Sequence, residues 1–274
     1  MGRIWFVTGS SRGLGLALVE AILDSGDSVV ASARKPEQLG HLVDKYGPDR
    51  VLTVALDVSN NDQVIRAVEA AQTKFGRIDI VVNNAGYADT AAIEDMDLPS
   101  FHAQMETDFF GVVYVTKAVL PLLRRQGSGH IFQVSSLGGR VGGSPGLGAY
   151  QSAKWAVAGF STVLSAEVAP LGIKVTVLEP GGIKTDWNST SMGHTPISEP
   201  YQQTVGAFNE MRERVQKGWS IPSKVANIIL TISRVSDPPL RLLIGPDTLA
   251  YVKKASEALA ASDEKWRELT VSSV

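Results

Sequence analysis

Short apolar runs recur along the chain, separated by longer stretches in which apolar residues return every three or four positions. Residues 4–7, 28–32, 51–56, 78–82, 131–134, 174–178 and 240–244 are the short runs. Each suits a strand covered on both faces, as in a parallel sheet packed between two helical layers. Residues 14–23, 36–46 and 62–75 carry helical spacing between them. This alternation predicts a doubly wound α/β sheet in a single domain spanning 1–274. Residues 187–221 interrupt it, mixing polar positions with Met192, Tyr201, Phe208 and Trp219. An insertion of that length is a lid over a site or poorly ordered surface.

Composition narrows the function classes. Of 274 residues, 44% are hydrophobic and 20% charged, enough apolar material for a substantial core. Lys and Arg number 26 against 28 Asp and Glu, a net charge of −2 that argues against a nucleic-acid partner. There is no Cys, which removes disulfides, thiolate metal sites and cysteine nucleophiles. His41, His102, His130 and His194 are far apart and form no metal-binding pair. No apolar stretch is long enough to span a bilayer, and no cleavable signal opens the sequence. A cytoplasmic protein without membrane partners is expected, and the sequon Asn188-Ser189-Thr190 reads as chance.

The first strand runs into Thr8-Gly9-Ser10-Ser11-Arg12-Gly13-Leu14-Gly15, a G-x-x-x-G-x-G turn opening a helix. Glycines let backbone approach a pyrophosphate closely, and the helix start supplies N–H groups and a positive dipole end. The same residues contain Gly9-Ser10-Ser11-Arg12-Gly13, which matches a nucleophile elbow and would make Ser11 the centre of a serine hydrolase. Elbows follow several earlier strands, whereas this one follows the first.

Tyr150-Gln151-Ser152-Ala153-Lys154 sets Tyr150 and Lys154 on one helical face. Asn83-Asn84-Ala85-Gly86 follows the fourth strand, Ser135-Ser136 ends the fifth, and Pro180-Gly181-Gly182 follows the sixth. In this order, the elements together resemble the short-chain dehydrogenase/reductase family over nearly the whole chain. The resemblance implies a seven-stranded Rossmann-type sheet, a nicotinamide cofactor, and oxidation of alcohols or reduction of carbonyls. It makes Tyr150 the catalytic acid/base, Ser136 the donor to the substrate oxygen, and Lys154 the ligand of the nicotinamide ribose that also lowers the Tyr150 pKa. A free Tyr titrates near pH 10, and a unit charge about 4 Å away at an effective dielectric of about 20 is worth roughly 4 kcal/mol. That predicts a Tyr150 pKa near neutrality before desolvation opposes it.

By the same resemblance, Asp57 and Val58 would meet the adenine, and Asn84, Ala85 and Gly86 the adenosine ribose. Ile183 and Thr185, beyond Pro180 and Gly181, would meet the carboxamide and phosphate side. Asp57 has a competing role in starting the next helix, where Ser59 and Asp62 resemble a capping box. The resemblance also suggests homodimers or homotetramers built through helices around 100–126 and 150–170. Two departures stand out. Ser136 and Tyr150 are 14 positions apart (150 − 136), one more than the family spacing. Gly142-Gly143-Ser144 is the place for the extra residue, which leaves Ser135 and Ser136 as alternatives. Asp108 stands where the family carries an Asn associated with a water and proton relay behind the Lys.

Cofactor choice is argued from charge. A cofactor lacking the 2′-phosphate usually meets an acidic side chain after the second strand. Here that strand leads into Arg34 and Lys35, and Arg12 lies in the glycine turn. Guanidinium groups match phosphate geometry, so NADP is expected in preference to NAD. The sequence therefore reads as an NADP-dependent carbonyl reductase or alcohol dehydrogenase for a small or medium, apolar substrate. A nucleotide-binding scaffold or sensor on the same fold is the second reading, and the Ser11 hydrolase the third.

Overall fold

The computed structural model describes residues 2–185, 192–215 and 218–274. The sequon and parts of 187–221 therefore lie outside the described residues. Seven strands form one parallel sheet: β1 (Ile4–Val7), β2 (Ser28–Ala33), β3 (Val51–Ala55), β4 (Ile80–Asn83), β6 (Gly129–Val134), β7 (Ile173–Pro180) and β9 (Arg241–Ile244). Their order is β3-β2-β1-β4-β6-β7-β9. Two further strands, β5 (Ala88–Thr90) and β8 (Met192–His194), pair with each other away from it.

Alternate residues of each strand feed opposite cores. Trp5, Val7, Val29, Ala31, Ile80 and Val82 face α1 (Gly13–Asp24), α2 (Gly40–Tyr46) and α8 (Pro222–Ile232). Phe6, Val30, Val81 and Ile131 face α3 (Asn61–Phe75), α5 (Gly111–Gln126) and α6 (Gly148–Val168). Every one of these strand residues is at most 2% exposed. Each such Val, Leu or Ile side chain contributes about 1.5–3 kcal/mol of transfer free energy. This is the doubly wound α/β architecture expected from the sequence.

Local corrections have identifiable causes. The fourth strand begins at Ile80 rather than Ile78, because the Gln126 side chain takes up the backbone of Ile78. Its amide donates to the Ile78 carbonyl at 2.7 Å, and its oxygen accepts from the Ile78 N–H at 3.2 Å. The third helix is capped by Asn60, whose side chain accepts from the Gln63 N–H at 3.0 Å. Ser59 is not the cap, since its N–H and hydroxyl both donate to Asp57 Oδ1, at 3.0 and 2.7 Å. Between α4 (Leu98–Met105) and α5, a π turn spans Glu106–Phe110. Residues 199–214, within the interrupting stretch, are helical, ending in α7 (Ala207–Arg214).

Candidate active site

Strand order runs one way from β1 to β3 and the other way from β4 to β9, so a crevice opens at the carboxyl ends of β1 and β4. It widens into a cavity of about 830 Å³. The glycine turn forms one end. Gly9 and Gly13 take φ of +68° and +57°, and a Cβ on Gly15 would lie 2.1 Å from the Gly9 carbonyl oxygen. No side chain fits there. Asn84 fixes the turn from across the crevice, its amide donating to the Thr8 and Gly9 carbonyls at 2.9 and 3.1 Å. Thr8 Oγ1 in return accepts from the Asn84 and Ala85 N–H groups at 2.9 and 3.0 Å.

Helix α1 starts at this turn without a side-chain cap, and Gly13, Leu14 and Gly15 line the cavity. A backbone cradle too close for any Cβ, set at an uncapped helix start, fits a pyrophosphate. Ser11 and the exposed Arg12 and Arg34 line the same end. Asp57, Val58, Ala85 and Gly86 continue the wall, and Pro180, Gly181, Ile183 and Thr185 close the far side of the crevice.

The chemistry-bearing side chains meet at the other end. Helix α6 carries Tyr150 and Lys154 one turn apart, and β6 delivers the two serines. Ser135 is 2% exposed, and its hydroxyl donates to the Lys154 carbonyl at 3.1 Å. Both serines line the cavity, and the Ser136 side chain hydrogen-bonds the Tyr150 hydroxyl. Of the two alternatives, the contact to Tyr150 is thus made by Ser136. Gly142 and Gly143, where the sequence places the extra residue, take φ of +56° and +82°.

Burial drives the Tyr150 hydroxyl above its ordinary value near 10, and the Asp108 charge adds to the rise. Hydrogen bonding to Ser136 and the Arg212 charge act in the opposite direction. The expectation of a near-neutral Tyr150 is therefore corrected. The Lys154 ammonium donates to the Val134 carbonyl at 3.1 Å and lies over the Tyr150 ring, where desolvation of the phenol outweighs the attraction that the sequence argument assumed. Tyr150 keeps its proton at neutral pH.

Every site residue expected from the sequence lines this cavity except Asp108. Asp108 is fully buried in the π turn behind Lys154, accepting from the Tyr87 N–H at 3.0 Å through Oδ1. Its Oδ2 has no hydrogen-bond partner among the described residues. Burial raises the carboxyl to about 6, while Lys154, Tyr87 and Gln104 oppose the rise.

The sequence reading offered 187–221 as a lid and named Phe208 and Trp219 in it, but passed over Met211 and Arg212. Phe208, Met211 and Arg212 of α7 line the cavity, as does Trp219. A Cβ on Gly182 would lie 2.5 Å from the Trp219 ring, so this glycine makes room for the indole. The aromatic positions of 187–221 were the available signal. For the hydrolase reading, no described histidine lines the cavity beside Ser11, and His130 is buried against Thr176. No group of residues suited to a metal occurs among the described residues.

A family profile described as short chain dehydrogenase matches residues 3–194. The chain belongs to the short-chain dehydrogenase/reductase family. An oxidoreductase of Botryotinia fuckeliana (strain B05.10), BOA17, is 65% identical over 274 residues, covering 100% of both chains. The crystal structure of a short-chain dehydrogenase from Streptomyces avermitilis superposes with a TM-score of 0.92 at 31% identity, covering 100% of this chain and 99% of that one. A 3-ketoacyl-(acyl-carrier-protein) reductase from Brucella melitensis, complexed with NADH, gives a TM-score of 0.73 at 25% identity over 88% of this chain and 97% of that one. As a short-chain dehydrogenase/reductase, this chain is an oxidoreductase. Among its described residues, no helix is long and apolar enough to cross a membrane.

Proposed function

We propose that this oxidoreductase interconverts a ketone or aldehyde and its alcohol, with NADP as cofactor and Tyr150 as proton donor in the reducing direction. One observation carries the reading: a single cavity joins the uncapped glycine turn to the Ser136, Tyr150 and Lys154 side chains. When bound, the nicotinamide cofactor supplies the hydride. Tyr150, protonated at neutral pH, gives its proton to the carbonyl oxygen. The Ser136 hydroxyl hydrogen-bonds the same oxygen and orients it. Lys154, held by the Val134 carbonyl, would hold the ribose hydroxyls of the cofactor.

Arg12 and Arg34, exposed at the glycine-turn end, support NADP over NAD through charge-assisted contacts to the 2′-phosphate. Solvent-exposed Phe110 and Val163, on the helical segments 100–126 and 150–170, support a homodimer or homotetramer, which light scattering tests. A carbonyl panel read by NADPH and NADH absorbance tests the activity. Consumption of NADPH in preference to NADH is expected. Cofactor binding without consumption on any carbonyl would favour the scaffold reading.

A further inference from the structure

We infer that Arg212 is a specificity-determining residue selecting carbonyl substrates that carry an anionic group, such as a carboxylate, near the reacting carbon. This rests on the reductase reading and deepens it. Phe208 and Arg212 are four residues apart in α7 and so share one face. That face is turned toward the reacting tyrosine, because Phe208 packs against the buried Ala88 and Leu147, the cluster against which Tyr150 also packs. The preceding turn is seated as well. A Cβ on Gly146 would stand 2.7 Å from Val205 Cγ1, so this glycine lets the lid approach the start of α6.

The Arg212 guanidinium carbon lies 6.0 Å from the Phe208 ring centroid, and its charge acts on the Tyr150 hydroxyl. Among the described residues, the other charges lining the cavity lie elsewhere. Arg12 and Arg34 are at the glycine turn, and Lys154 is held beneath by the Val134 carbonyl. Asp247 stands against Gly181 and Gly245, and the Asp89 charge acts on Tyr87 and Asp108. From the lid, Tyr150 thus faces a cation. A half-buried guanidinium holds a carboxylate through two parallel, charge-assisted hydrogen bonds. Around it Phe208, Met211 and Trp219 are apolar. The chemistry that fits is an oxo acid with an aliphatic chain, a revision of the wholly apolar substrate expected from the sequence.

The test compares straight-chain oxo acids with their methyl esters in the unmodified protein, in Arg212→Met, which keeps an apolar stem, and in Arg212→Lys. Loss of the cation also removes a charge acting on Tyr150, which affects acid and ester alike, so the readout is the acid-to-ester ratio of kcat/KM. That ratio is expected to exceed about tenfold, to fall toward one in Arg212→Met, and to recover partly in Arg212→Lys. Calorimetry of hexanoate against methyl hexanoate, with NADP bound, reads the same preference without turnover. An unchanged ratio in Arg212→Met overturns the inference, as does a loss confined to NADPH affinity, which would assign the guanidinium to the cofactor's phosphates. Arg212-dependent hexanoate binding with no carbonyl reduced would overturn the reductase reading alone. Absence of such binding overturns the inference whatever the turnover.

Discussion

The Lys154 ammonium sits 5.5 Å from the centroid of the Tyr150 ring and donates to the Val134 carbonyl. The pair that Y-x-x-x-K spacing brings together is thus a cation against an aromatic face, with the phenol retaining its proton. This arrangement suits a donor more than a base. The rate of reduction is expected to show no fall assignable to Tyr150 between pH 7 and 9, and a Tyr150-dependent decline centred near pH 7 would contradict it.

Tyr150→Phe removes only the hydroxyl. Cofactor binding, read by fluorescence titration, should persist while reduction falls by about 10²-fold or more. Ser136→Ala should cost more activity than Ser135→Ala, because Ser136 meets the Tyr150 hydroxyl and Ser135 meets a backbone carbonyl. Near-normal turnover in Tyr150→Phe would rule out the mechanism.

Arg34→Asp places a carboxylate where the 2′-phosphate is proposed to bind. The ratio of NADPH to NADH affinities should fall by at least about tenfold through repulsion and loss of a charge-assisted contact. Equal affinities in the unmodified protein would show that Arg34 and Arg12 have no part in the choice.

Asp108→Asn keeps the acceptor for the Tyr87 N–H and removes the buried charge. Burial raises the folded-state pKa from 3.8 to about 6, so the folded protein is favoured with Asp108 protonated. Its contribution is complete below about pH 4 and is lost as pH rises through about 6. The cost of ionisation at pH 7 is on the order of 3 kcal/mol, at 1.36 kcal/mol per unit. The Asn variant should therefore melt higher than the parent at pH 7 and show little gain at pH 4. Removing the carboxylate also lowers the Tyr150 pKa, which should shift the pH profile of the rate. Superimposable melting curves and rate profiles would leave the carboxylate without influence.

Gly15→Ala pushes a methyl group against the Gly9 carbonyl and the Asn84 amide, 2.1 and 2.6 Å from where it would stand. The turn must open, at about 1–3 kcal/mol of stability, and cofactor affinity should drop with it. Gly40→Ala, where nothing lies within 4 Å of the added carbon, serves as the control. Comparable cofactor affinities in the two variants would refute the cradle.

Which parts of this were legible in the sequence follows from where the determining contacts lie. The strands of the main sheet were readable because their apolar runs are continuous, and the glycine turn because close approach admits no other residue. Ser136, Tyr150 and Lys154 were readable as a set through ordered spacing. Asp57 held Ser59 instead of leaving it to cap, which spacing alone does not reveal. Strands β5 and β8 pair residues about a hundred positions apart in three-residue pieces, too short for any periodicity. Arg212 belongs to no motif in the sequence, and its place beside Phe208 follows only from the folding of α7. The pKa directions depend on burial, which no local pattern encodes.

The Thr8–Asn84 clamp has a consequence for how the chain acquires its structure. Its two residues are 76 positions apart in sequence and follow strands that pair directly, so the loop carrying β2, β3 and α3 must be closed before the hydroxyl and amide can meet. A nucleation event confined to residues near either partner produces half of the cradle and no ligand affinity. Contacts of such separation form late, after loop closure has been overcome. Dinucleotide then acts as a thermodynamic latch on the finished molecule alone, adding about 2.7 kcal/mol at a hundredfold excess over Kd. The melting temperature should rise steadily with cofactor concentration, while the initial rate of refolding from denaturant stays independent of it.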